Sequence, residues 1–185
     1  MESKTKTRLG LAIFFGVIVA AVGTVVWMTR HPAVNQAQAR AMKPAIEAYM
    51  HNDIAGMGLE GDLDARLKPQ AFCDPDIIEI RPDEPGWRVG MMPFCASYAR
   101  RGGTLLESSV GYDVVVAEVV IRSGHYQVVS LQVGSDGYDP AWVHANFSSL
   151  AARWILSTDP PTAPDPVSQA RQALGFPAGT PAVQE

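Results

Sequence analysis

The sequence predicts an α+β protein in which a single N-terminal transmembrane helix precedes an extracytoplasmic domain with helices packed on a curved antiparallel sheet. Three observations predict it. Residues 9–28 form an uncharged apolar run, residues from about 35 onward repeat apolar side chains at helical spacing, and residues 112–133 hold two β-branched segments around a tight-turn dipeptide. A chain of 185 residues accommodates one ordinary domain plus an anchor. Apolar residues at 47% and charged residues at 18% exclude wholesale disorder. A net charge of −4 gives no electrostatic support to nucleic-acid binding. The mean hydropathy of +0.02 averages one very apolar part and one ordinary part.

The first element is the span. Leu9 to Met28 is 20 residues without a charge. At the helical rise of about 1.5 Å per residue it matches the roughly 30 Å hydrocarbon core of a bilayer. Lys4, Lys6 and Arg8 precede it and only Arg30 follows closely, so residues 1–8 are expected in the cytoplasm and the bulk of the chain outside. The rival reading is a cleaved signal peptide ending at Ala37-Gln38-Ala39, but the apolar run exceeds the usual signal core and the small residues lie well beyond it. Both readings place residues 29–156, the expected α+β domain, beyond the membrane. From residue 31 onward the chain carries 11 basic and 18 acidic residues, a balance that holds it off an anionic lipid surface.

Met42, Ile46, Tyr49, Met50 and Ile54 make the helical stripe, with Pro44 either starting or kinking that helix. Gly56, Gly58 and Gly61 lead to a short amphipathic piece, Asp62 to Leu67, with Asp62 as its cap. A brief edge strand is expected at Ile77–Ile80 between proline-rich turns, then a strand from Trp87 to Arg100 interrupted at Pro93. Tyr112–Arg122 and His125–Val133 form a hairpin across Ser123-Gly124. Asp139 caps and Pro140 starts one helix through residue 156, whose stripe is Val143, Phe147, Leu150 and Trp154. Residues 157–185 hold 6 of the 14 prolines and are expected to be an extended tail, with one short helix at 166–174 ordered against a partner through Leu174 and Phe176.

Cys73 and Cys95 both fall beyond the membrane, where thiols pair, so a disulfide closing a loop of about 22 residues is expected. Two cysteines without a nearby histidine are too few for a metal, and no HxH or HExxH spacing appears. The carboxylates Asp74, Asp76, Asp83 and Glu84 do not follow the spacing of a calcium loop and read as solvated turns. Ser108, Ser109 and Ser123 lack a nucleophile elbow, and Arg101-Gly102-Gly103-Thr104 is too short for a phosphate loop. No catalytic set and no cofactor is therefore assigned.

The strings Ala45-Ile46-Glu47-Ala48-Tyr49-Met50 and Gly61-Asp62-Leu63-Asp64-Ala65-Arg66-Leu67 resemble the nuclear transport factor two-like superfamily, of the ketosteroid-isomerase or SnoaL type, in its membrane-tethered bacterial form. The similarity covers about residues 40–134. It departs from that pattern in the glycine-rich spacing before Gly61 and in the helix after the last strand; an unrelated α+β sandwich fits the same order. The resemblance implies a cone-shaped sheet with a pocket, for which Tyr49, Met91, Met92, Phe94, Asp113 and His125 are the candidate lining residues. Many such members act in envelope or secretion assemblies. The expected function is a tethered interaction module, an accessory subunit of a cell-envelope or transport assembly, whose partners are the lipid bilayer through residues 9–28 and other envelope proteins. The alternatives are a small-molecule or lipid-binding domain and, behind it, a hydrolase or isomerase.

Overall fold

A computed structural model describes residues 34–52, 63–134, 138–157 and 166–185. The expected span at 9–28, Ile54, the glycines 56–61 and the expected cap Asp62 lie outside them. Among the described residues no helix is long and apolar enough to cross a membrane. What they form is an α+β fold in which one long sheet carries helices on both faces.

Helix α1 (Gln36–Asn52) starts where Asn35 Oδ1 accepts from the backbone N–H groups of Ala37 and Gln38, at 3.1 and 3.2 Å. Pro44 lies inside it rather than at its start; the ring is exposed, so the carbonyl it leaves without a donor faces water. The sheet follows as β1 (Gln70–Asp83), β2 (Gly86–Arg101), β3 (Thr104–Tyr112), β4 (Val115–Arg122) and β5 (His125–Val133). The short edge strand expected at 77–80 is thus the middle of a 14-residue strand. Its prolines deceive the eye because β1 pairs only with β2 among the described strands, and an outward-facing edge does not need the missing N–H.

β2 is the spine. One of its edges pairs with β1 from Gln70↔Tyr98 to Asp83↔Gly86. The other edge is shared: Phe94–Arg101 pairs with β3 and Trp87–Met91 with β4. β3 and β4 therefore run as one line broken at Asp113–Val114, opposite Pro93. Pro93 does not end its strand, because its absent donor falls at this break and its carbonyl still accepts from Asp113 N–H at 3.5 Å. The expected hairpin across Ser123-Gly124 is present, with both turn residues at positive φ, 52° and 80°.

Alternation along β2 divides the core. Val89, Met91 and Cys95 face Met42, Ile46 and Met50 of α1, together with Val115, Ala117 and Val119 of β4. Met92 faces the other way, with Ile78, Val114 and Val116, under the helices α2 (Pro140–Asn146) and α3 (Ser149–Ser157). The single helix expected over 140–156 is two. Asp139 caps the first, accepting from Ala141 N–H at 2.9 Å. The chain then extends at Phe147, whose ring lies over Gly90. The N-terminus of α3 is served by Glu79, whose two oxygens accept from Ser148 N–H at 3.2 and 3.3 Å.

Of the expected tail, residues 158–165 lie outside the described residues; the short helix expected at 166–174 is present, but it is ordered by the chain's own sheet. Helix α4 (Val167–Ala173) docks Val167 and Ala170 against Phe72, Ala96, Tyr98 and Leu105, with Leu174 and Phe176 beside them. Strand β6 (Ala182–Gln184) then pairs in parallel with β3. The sheet is therefore mixed, not purely antiparallel. The apolar residues expected to await a partner find it in their own sheet.

Candidate functional site

The disulfide Cys73–Cys95 joins directly opposed residues of β1 and β2, with the sulfurs 2.07 Å apart. It lies beneath α1 and beside a groove of about 330 Å³ that runs along the outer edge of β1. One wall is a helical stripe of α1, Pro44, Glu47, Ala48 and His51, adjacent to the Met42–Ile46–Met50 stripe that fills the interior. The other wall is Gln169 and Ala173 of α4, and Phe72 and Cys73 make the floor.

His51 fixes the site to the sheet. Its Nδ1 lies 2.7 Å from the carbonyl of Ala71, which can only accept, so this nitrogen carries the proton and Nε2 is the acceptor of the neutral ring. The ring packs on Phe72 at 5.0 Å between centroids, and Phe72 meets Tyr98 edge-on at 6.0 Å. On the same helix Lys43 bridges the half-buried Glu47, at 3.9 Å, and the buried Asp74, its closer partner. Burial holds the Glu47 carboxyl above its ordinary range; Lys43 opposes that and Asp74 adds to it. His51, Lys43 and Pro75 together occupy the edge of β1 that would otherwise present open backbone groups.

The lining offers an apolar floor, one carboxyl, one imidazole and the carboxamides of Asn52 and Gln169, and it contains no hydroxyl or free thiol. Among the described residues no group of three or more His, Cys, Asp and Glu is placed to hold a metal. The four carboxylates singled out in the sequence fall into two separate pairs: Asp74, on Lys43, with Asp76 near enough to feel both and raised chiefly by burial, and Asp83 and Glu84 at the far hairpin tip. The arrangement is suited to holding a small apolar group with a polar handle.

The residues expected to line a cone pocket do not converge. Met91 is buried beneath α1, and Met92 on the opposite face. Tyr49 packs half-buried against the α1 core. Phe94 stacks on Tyr112 at 4.5 Å. Asp113 sits half-buried at the β3–β4 break, its carboxyl raised by burial. The Tyr138 hydroxyl is raised by burial, with the Asp113 and Tyr112 charges adding. His125 is exposed at the hairpin turn, opposite Arg122. The groove residues His51, Glu47, Phe72 and Gln169 were not visible as a set, because two of the three segments that build it are joined only by tertiary packing. The readable part was the Pro44–Glu47–Ala48–His51 stripe beside the apolar one.

Comparison with protein-family models, with curated proteins and with solved structures finds no match for this chain.

Proposed function

We propose that this protein is a membrane-anchored extracytoplasmic module that takes an apolar side chain of another envelope protein into the groove between α1 and α4. The observation that carries the reading is that groove: an apolar floor rimmed by Glu47 and His51 and held by a disulfide-linked hairpin. Three further features support it. The uncharged run at 9–28 suits an anchor, the disulfide suits an oxidising compartment, and the interior is filled by Met42, Ile46 and Met50 instead of being left open for a ligand. A carboxylate at the rim favours a partner segment whose apolar anchor is flanked by a basic residue.

A photo-crosslinking residue in place of Ala48, in the native tethered protein, is expected to give one discrete adduct in its own membranes. The same probe at His125, which lies away from the groove, is expected to give none. Adding Ala173→Trp, which fills the groove, should abolish the Ala48 adduct. Adducts of equal yield from both positions, or an Ala48 adduct that survives the filled groove, defeat the proposal. The second reading, a small-molecule site in the same groove, is favoured by its volume, which lies at the low end of ligand pockets. A hydrolase or isomerase has less support, since the lining supplies no hydroxyl or thiol nucleophile and its carboxyl and imidazole are engaged by Lys43 and the Ala71 carbonyl.

A further inference from the structure

The opposite face of the sheet holds two arginines that the groove does not use. Arg81 of β1 and Arg88 of β2 are direct partners in the ladder, so two like charges lie side by side, an arrangement that repels unless anions answer it. Both side chains turn toward the corner between α2 and α3. Arg81 Nη2 donates to the Asn146 carbonyl at 2.6 Å, and Arg88 Nη2 donates to Asn146 Oδ1. Only Arg81 has a carboxylate: its Nε is 3.1 Å from Glu79 Oε1. That oxygen is already shared with Ser148 N–H, and the Arg81 Nε–H is not directed at it as a hydrogen bond. No carboxylate lies at ion-pair distance from Arg88 among the described residues, and its Nε is buried without an acceptor there.

These two arginines line a cavity of about 260 Å³ with Pro82, Asp83 and Ala145. One carboxylate answers two guanidiniums, and that of Arg81, with its side chain 41% exposed, stands beside open space. We infer that this cavity binds a carboxylate. A carboxylate offers two oxygens to the guanidinium N–H groups and supplies the single negative charge that Arg88 lacks. Asp83 decides the charge state of the ligand. It lines the cavity, outside ion-pair distance of both arginines, and it repels a dianion more strongly than a monoanion. The site lies at the other end of β1 from the groove and shares no lining residue with it, so it stands or falls independently of the function proposed above.

The test uses the full chain in detergent micelles with nitrogen-15-labelled arginine, and reads the Nε–H resonances during titration with sodium acetate at constant ionic strength. A saturable shift of the Arg88 and Arg81 signals is expected, with the exposed Arg122 unmoved. Arg88→Gln should weaken acetate binding at least about tenfold, read through Arg81. If that variant does not fold, Arg88→Lys, which keeps the charge and removes the fork, is expected to give the same loss. A glutamate-containing peptide separates the sources. Competition between it and acetate assigns an acidic side chain, whereas acetate binding with the peptide excluded assigns a free small acid. No saturable shift with acetate, or tighter binding of inorganic phosphate than of acetate, overturns the inference.

Discussion

Glu79 is a buried carboxylate in the middle of a strand, and its neighbours explain why it is tolerated. It serves Ser148 N–H at the head of α3 and Arg81 beside it. Glu79→Ala leaves a helix N-terminus and a guanidinium unanswered, so a loss of about 2–3 kcal/mol is expected in urea unfolding, with Glu79→Gln milder because its amide oxygen still accepts. Gly90 is set by space alone. A Cβ there would stand 2.4 Å from Phe147 Cε1, so Gly90→Ala must push the ring out of the corner, at an expected cost of about 1–3 kcal/mol in the same assay. Asp113 carries a pH signature. Burial raises its carboxyl, so the folded chain keeps a proton that the unfolded chain releases, and stability falls as pH rises through that window. Asp113→Asn is expected to raise the melting temperature at about pH 7, with the gain shrinking as pH falls to about 4 and the unfolded aspartate is itself protonated.

The elements differ in how plainly the sequence announces them. Helix α1 and the β4–β5 hairpin are written in local terms, a 3.6-residue stripe and a Ser-Gly turn, and both are present, although the strand expected from Tyr112 starts at Val115 because Tyr112 closes β3. β1 was hidden because Pro75 and Pro82 read as breakers until its edge position is known. The split between α2 and α3 was hidden because Val143, Phe147 and Leu150 keep helical spacing across a corner that Glu79, on a strand 69 residues away, stabilises. The groove was legible on its α1 wall alone. The cysteine pair was legible from the number of cysteines and the compartment expected for them, and the hairpin register sets it face to face. Removing it by Cys73→Ala with Cys95→Ala is expected to lower stability by about 3 kcal/mol in the chain-entropy model, measured by thermal unfolding.

Across the whole molecule the sheet works as a partition. One face belongs to α1 and the other is divided between the α2–α3 pair and α4. Residues 166–185 belong to that second cover. Ending the chain at residue 165 would bare Phe72, Tyr98 and Leu105, and binding of a hydrophobic dye together with broadened unfolding is the expected result. The pairing of Leu105 with Ala182 extends this into time. In a chain that emerges amino end first, β1 to β5 precede β6, so among the described strands the sheet stays one rung short until residues 182–184 join β3. Residues 182–184 thus act as a latch on that edge of β3, and whatever holds the newborn polypeptide must leave Leu105–Glu107 open for them to close upon.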